Sequence, residues 1–248
     1  MGANNDSQYR HIAAIYSHLM RGIDYKFWAE YIGMITQKYV KKDPLTLEIA
    51  AGNCSLAKYL RKYYKNYIAA DLSAEMLMNS KRKRISRVCC DMRNLPFRAK
   101  FDLIISAFDS VNYLTSAGEI SQFLADLKNN LSDNGIFTFD ISLESNSIKY
   151  VKNLNRCGQY KGISYEQISS YDKRKKIHYN EFVLKLKDGR EVHEEHKQKI
   201  YSLETFFDLI GKNGYIVKEC YTAFSLDNAS ENSERAQFII KKGKNAYV

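Results

Sequence analysis

Between Tyr9 and Val40 the apolar residues recur at helical spacing, in two stripes. Ile12, Ile15, Tyr16 and Leu19 form the first, and Phe27, Tyr31, Met34, Ile35 and Tyr39 the second. Residues three and four apart share one face of a helix, so the pattern predicts two amphipathic helices. Gly22 and Asp24 separate them, and Asp24 is placed to cap the second. The period then changes. Residues 45–50, 67–71, 87–91, 101–106 and 135–140 are short apolar runs, with helical stretches at 55–63, 74–80 and 116–131 between them. Continuous apolar strands alternating with helices make a parallel sheet covered on both faces. The expectation is a doubly wound α/β fold with an N-terminal helical cap.

Beyond Ile141 the grammar becomes antiparallel. Residues 159–171, 177–186 and 190–201 read as three longer strands with alternating polar positions. A three-residue loop Lys187-Asp188-Gly189, with Gly189 left-handed, sets Leu184 opposite Val192 and Asn180 opposite His196. One face then carries His178, Asn180, Phe182, Leu184, Val192, His196 and Gln198. That suits the wall of a small-molecule pocket, with His178 and Gln198 expected on its solvated part. A helix at 203–212 and strands at 215–220 and 237–242 resume the α/β rhythm. The chain therefore divides into a cap and core (1–142), an antiparallel insertion after the fifth strand serving as an acceptor lid (143–201), and a segment completing a seven-stranded core sheet (202–248).

Composition changes this picture little. The 38 Lys+Arg exceed the 28 Asp+Glu by ten, which suggests nucleic acid, a membrane surface or an acidic ligand. Lys81-Arg82-Lys83-Arg84 with Arg87, and Lys173-Arg174-Lys175-Lys176, hold nine of those charges; removing them leaves about +1, ordinary for a soluble enzyme. The first cluster precedes its strand, so it belongs at the sheet edge opposite a ligand, and the second sits on a hairpin tip. Five scattered cysteines without C-x-x-C fit a reducing cytoplasm, and no apolar run is long enough to cross a bilayer. The first residues also lack the basic-then-apolar layout of a signal peptide.

Open α/β sheets bind ligands at the carboxyl ends of their strands. Those ends carry Glu48 to Gly52, Asp71, Asp91 and Ser106 to Ser110. Gly52 lets the first turn approach a ligand closely, and Asp71, 23 residues after Glu48, is placed to take a ribose diol. An adenosine-containing cofactor is indicated. A dinucleotide fingerprint needs glycines at 50, 52 and 55, where the chain has Ala50, Gly52 and Ser55, and no phosphate-binding lysine follows. A phosphate-free adenosine ligand makes fewer demands.

At these residues the chain resembles the class I S-adenosylmethionine-dependent methyltransferases. Leu47-Glu48-Ile49-Ala50-Ala51-Gly52-Asn53-Cys54 is similar to the family's acidic, glycine-rich first motif. Asp71-Leu72-Ser73-Ala74-Glu75-Met76-Leu77 resembles the ribose motif, and Cys90-Asp91-Met92-Arg93-Asn94-Leu95-Pro96-Phe97 the adenine motif. Phe101 to Ser106 with Asp109-Ser110-Val111-Asn112-Tyr113-Leu114 is similar to the fourth. Four motifs in order carry the likeness. Ala50 and Cys54 stand where glycines are usual, which implies a looser turn and altered affinity. Tyr9, Tyr16 to Met20 and Asp24 to Trp28 further resemble a small-molecule subgroup that includes glycine N-methyltransferase-like and sugar-amine enzymes.

The resemblance implies S-adenosylmethionine contacts from Tyr16, Trp28, Glu48, Ala50, Gly52, Asp71, Leu72, Met76, Asp91, Met92, Ala107 and Tyr113. Acceptor contacts are expected from Tyr9, Asp109, Asn112, Asn180 and His196. Each has an ordinary structural alternative: Asp71 and Asp91 as helix caps, and Trp28, Met76 and Tyr16 as packing. No metal is expected, and no catalytic residue is assigned; Asp109, His193, His196 and Tyr16 are the titratable or hydroxyl candidates for a base. The expected activity is methyl transfer to N or O of a small molecule. The alternatives are an RNA or protein methyltransferase using the basic surface, and a cofactor-binding regulator without turnover. A small-molecule acceptor and a homodimer are the expected partners; nucleic acid is left open and a membrane is not expected.

Overall fold

A computed structural model describes residues 9–80 and 85–243. Eleven strands form two sheets among these residues. The first contains β1 (Thr46–Ile49), β2 (Tyr67–Asp71), β3 (Ser86–Cys89), β4 (Phe101–Ser106), β5 (Leu131–Ser142), β10 (Tyr215–Thr222) and β11 (Arg235–Lys242), in the order β10-β11-β5-β4-β1-β2-β3. β1 to β5 pair in parallel, whereas β11 runs antiparallel to both neighbours. The strand order reverses between β1 and β4, which is where an open α/β sheet forms its ligand crevice.

Helices cover both faces. On one, α5 (Ala117–Asn130) and α7 (Leu203–Lys212) bring Phe123, Leu127, Phe206 and Ile210 onto Phe137, Phe139 and Phe238. On the other, α2 (Tyr25–Thr36) and α3 (Ala57–Leu60) pack Trp28, Ile32, Ile35 and Leu60 against Leu103, Ile105 and Ile136. Asp24 caps α2 by accepting the N–H groups of Lys26 and Phe27. The buried stripe of α2 is Trp28, Tyr31, Ile32 and Ile35; Phe27 and Met34, expected within it, are 48% and 44% exposed. The helix is rotated because Trp28 packs against the aromatic rings of Phe108 and Phe224.

The insertion is one strand richer than the sequence predicts. β6 (Arg156–Tyr160), β7 (Ile163–Asp172), β8 (Ile177–Lys185) and β9 (Glu191–Lys199) form an antiparallel sheet in chain order. Lys161-Gly162 turns the chain back on itself where a single strand was expected, with both residues at positive φ. A helix, α6 (Glu144–Tyr150), precedes the sheet and has no counterpart in the sequence reading. The β8–β9 register has Leu184 opposite Val192 and Asn180 opposite His196, and Gly189 is left-handed at φ 85.

The expected solvated part of that face is buried. His178 exchanges hydrogen bonds with Ser169 Oγ (2.7 Å) and Ser147 Oγ (3.0 Å), and burial lowers its pKa. Gln198 is likewise buried. The cover comes from α6 and from a 3-10 turn, Ser110–Tyr113, whose Asn112 ties β9 to β5. At the other end the N-terminal segment docks, with Ile12, Ile15 and Leu19 joining Ile163, Tyr165, Phe182 and Leu184 in a separate apolar cluster. Glu194 Oε1 accepts the N–H groups of His11 and Ile12, fixing the segment on the sheet.

The basic cluster Lys173 to Lys176 forms the exposed β7–β8 turn, where Lys176 pairs with Glu144. Residues 81–84 of the other cluster lie outside the described residues. No helix among the described residues is long and apolar enough to cross a membrane.

Candidate active site

A cavity of about 440 Å³ opens at the switch point between β1 and β4, within the usual range for small-ligand sites. Its floor is the turn after β1. Ala50, Gly52 and Cys54 all adopt left-handed backbone, at φ 55, 54 and 59. Ala50 and Cys54 therefore keep a conformation natural to glycine, at a cost of about 1–2 kcal/mol each. The looser turn expected from their side chains is not what the backbone shows. At Gly52 a Cβ would stand 3.1 Å from Met76 Cε, so a side chain here would crowd the floor.

Asp71 holds this turn from the next strand. Its Oδ2 accepts the N–H of Gly52 (2.7 Å) and its Oδ1 that of Ser73 (2.8 Å). Ser73 is the cap of α4 (Ala74–Met78), accepting from Met76 N–H. Asp71 thus has a different task from the helix cap that offered its ordinary explanation. Burial pushes its pKa up, while the two backbone donors pull it down. Deeper in the floor, Glu48 is 2% exposed and, among the described residues, accepts a hydrogen bond only from the Tyr67 hydroxyl (2.8 Å). Burial without a cation pushes its carboxyl up to about 8.

At the β3 end Asp91 is gripped by Arg93, whose guanidinium donates to both carboxylate oxygens at 2.5–3.0 Å and to Glu119 at 2.7 Å. Asp91's pKa is lowered by that side-chain contact, against the effect of burial. Glu119 belongs to the capping box of α5, so Arg93 links the β3 turn to that helix. Leu72, Met76, Cys90 and Met92 supply apolar wall.

Tyrosines make the remaining wall. Tyr9 and Tyr113 share a 2.6 Å hydrogen bond, and Tyr9 lies edge-on to Tyr16 with centroids 5.8 Å apart. Burial pushes all three well above the usual phenol range, and Tyr25 up to about 12. All four hydroxyls are therefore neutral donors and acceptors at neutral pH. Glu195 and Lys197, paired at 2.5 Å, stand at the cavity wall where the insertion meets it.

The structure brings together Tyr9, Tyr16, Glu48, Ala50, Gly52, Asp71, Leu72, Met76, Asp91, Met92 and Tyr113 of the expected residues. Six others are not on this wall. Trp28 is packed between Phe108 and Phe224, and Ala107 is buried in the same apolar layer. Asp109 turns toward Arg235, 3.4 Å away. Asn112 spends its amide on the Ser142 and Lys199 carbonyls and on the Ser142 N–H. Asn180 accepts from Gln167, and His196 lies behind Tyr9, with ring centroids 4.4 Å apart. The inner pleat of β9 is thus packed shut, and the outer pleat, Glu195 and Lys197, reaches the cavity.

Sequence reasoning also missed Tyr25, Phe108, Arg93, Thr115 and Glu119. The cap at Asp24, which sets the start of α2, is a signal that could have found Tyr25. The described residues contain no cluster of His, Cys, Asp or Glu able to hold a metal, and none of the five cysteines is in a disulfide.

Residues 46–135 match the model of a methyltransferase domain family. An S-adenosylmethionine-dependent methyltransferase from Clostridium acetobutylicum superposes with a TM-score of 0.76 at 26% identity, covering 95% of this chain and 99% of that one. Residues 46–135 thus carry a methyltransferase domain, and the chain is an S-adenosylmethionine-dependent methyltransferase. Its cofactor is S-adenosylmethionine. This methyltransferase is also 23% identical to Bacillus subtilis YqeM, which carries a provisional methyltransferase name, over 95% of this chain and 98% of that protein. Over 48% of its length it is 27% identical to the dTDP-3-amino-3,4,6-trideoxy-alpha-D-glucopyranose N,N-dimethyltransferase of Streptomyces venezuelae, matching 51% of that protein.

Proposed function

We propose that this methyltransferase transfers the methyl group to nitrogen of a small, polar amine. S-adenosylmethionine supplies an electrophilic methyl on a sulfonium, and displacement there demands an in-line lone pair, so positioning dominates. The residues of the floor fit such a cofactor. Asp71 retains lone pairs beyond its two backbone donors for a ribose diol, and the bare Gly52 leaves room that a Cβ would fill. Glu48, a buried carboxyl without a cation, complements a cationic group.

One observation carries the acceptor assignment: every carboxylate on the described cavity wall already has a partner, and the tyrosine hydroxyls beside them are neutral, so no free base stands ready. Asp91 and Glu119 are held by Arg93, Glu195 by Lys197, Glu48 by Tyr67 and Asp71 by backbone. A neutral amine carries its own lone pair and needs no strong base, whereas a hydroxyl acceptor does. The amino-sugar activity named for the Streptomyces venezuelae relative supports the same acceptor class. Arg93 and Lys197 are balanced by Glu119 and Glu195 around the cavity, which favours a small molecule over a nucleic acid. The unbridged cysteines suit the reducing cytoplasm.

Incubation with methyl-labelled S-adenosylmethionine and a panel of amino sugars, small amines, phenols and tRNA tests this reading. Label on amines supports it; label on phenols or tRNA alone refutes it.

A further inference from the structure

The second left-handed turn at the cavity is held by two charged residues outside the cofactor motifs, Asp140 and Arg235. Phe108 and Asp109 follow β4 at φ 61 and 49, and Phe108 and Ser110, on either side of Asp109, form part of the cavity wall. The Asp109 N–H donates to Asp140 Oδ2 at 2.8 Å. Arg235 donates to the same Asp140 oxygen and stands 3.4 Å from Asp109 Oδ1. Its guanidinium carbon also lies 5.6 Å over the ring of Trp28, which in turn packs on Phe108 at 4.3 Å. Arg235 thus meets the carboxylate that anchors the turn's backbone, the turn's own carboxylate, and the indole that backs the turn's aromatic ring.

This arrangement is more than filling. Asp140 is fully buried and the Arg235 side chain 19% exposed, and ions in such places are generally no more stabilising than apolar groups of the same volume. The same device occurs at the cofactor floor. There the carboxylate ending β2, Asp71, accepts the N–H of left-handed Gly52 in the turn after the neighbouring β1. Here the carboxylate in β5, Asp140, accepts the N–H of left-handed Asp109 in the turn after the neighbouring β4.

We infer that Arg235, together with Asp140, is a positioning residue for methyl transfer, fixing the strained turn that presents Phe108 and Ser110 to the ligand. The inference rests on the assignment of the cavity to S-adenosylmethionine. It also gives Asp109 a role as a member of the clamp rather than as an acceptor ligand. Trp28, the single tryptophan of the chain, sits on the clamp and reports its state.

The test is S-adenosylhomocysteine titration of the full chain, followed by calorimetry and by Trp28 fluorescence. Arg235→Lys and Asp140→Asn are compared with Leu209→Ala, a core truncation on α7. The clamp variants should lose at least tenfold in affinity and lose the ligand-induced fluorescence change, while Leu209→Ala, though less stable, binds as the unaltered chain does. If Arg235→Lys does not fold, the near-isosteric Asp140→Asn carries the comparison alone. Binding within twofold by the folded clamp variants overturns the proposal, as does an equal affinity loss in Leu209→Ala. Failure of the unaltered chain to bind overturns the cofactor assignment and this inference with it, a result distinct from the other two.

Discussion

Two turns of left-handed backbone meet the same cavity, and they are held in opposite electrostatic settings. The turn after β1 contains one glycine, faces the ligand, and is tied by Asp71 without a cation. The turn after β4 contains none at its left-handed positions Phe108 and Asp109, and its anchor Asp140 is sealed behind it with Arg235. The buried acids beside them differ accordingly. Glu48, with only a phenol for partner, is pushed up to about 8, whereas Asp140, beside a guanidinium, rises only to about 6. A wall facing a cationic ligand can leave an acid uncompensated in its absence; a wall facing protein needs an internal cation.

Breaking the first turn has the largest effect. Gly52→Val puts a branched side chain at φ 54 and into Met76, and should weaken S-adenosylhomocysteine binding at least a hundredfold by calorimetry. Wild-type affinity in that variant would show that close approach at Gly52 does not matter.

Next comes the pH dependence of stability. The folded chain keeps Glu48 protonated up to about 8, while an unfolded chain releases that proton near 4.5. The unfolded state is therefore favoured increasingly as pH rises between those values, by up to about 1.4 kcal/mol per unit. Glu48→Gln should remove this slope and raise the melting temperature of the ligand-free protein at pH 8 far more than at pH 5. Asp140 contributes in the same direction, but its window closes near 6. Parallel melting curves for Glu48→Gln and the unaltered chain across pH 5–8 would contradict the account.

Smaller effects sharpen the comparison. Ala50→Gly and Cys54→Gly relieve left-handed strain and should each stabilise by about 1 kcal/mol in denaturant titrations, provided the space left by the Cys54 side chain stays closed. A loss of stability at Ala50→Gly would mean that the turn is not strained there. Replacing Lys173, Arg174 and Lys175 by Gln should change stability by no more than about 0.5 kcal/mol and leave ligand affinity unchanged, because that turn is exposed. A tenfold shift in affinity would bring the surface charge back into the function.

The contrast also marks what the sequence discloses. The α/β core was legible because buried parallel strands are continuous apolar runs, and the floor because Glu48, Gly52, Asp71 and Asp91 fall at strand ends at motif spacing. The β8–β9 register followed from a three-residue Lys187-Asp188-Gly189 loop with Gly189 left-handed. The clamp was not legible: Asp140 and Arg235 lie 95 residues apart and meet only through the β5–β11 pairing. The face of the insertion that meets the cavity was misread because period-two alternation says which residues share a face, not which face is covered. Covering by α6 and the Ser110–Tyr113 turn decided that His178, His196 and Gln198 are inside. Trp28 was misassigned because aromatic character suits both a ligand wall and the back of a strained turn.

At the proposed site, S-adenosylmethionine occupies the cavity floored by the β1 turn with its ribose on Asp71. Calorimetric titration of S-adenosylhomocysteine into the unaltered chain and into Asp71→Ala at pH 7.5 tests it most directly. One site per chain, with binding lost in the variant, is the predicted result. Equal binding by both proteins, or none by the unaltered chain, would contradict it.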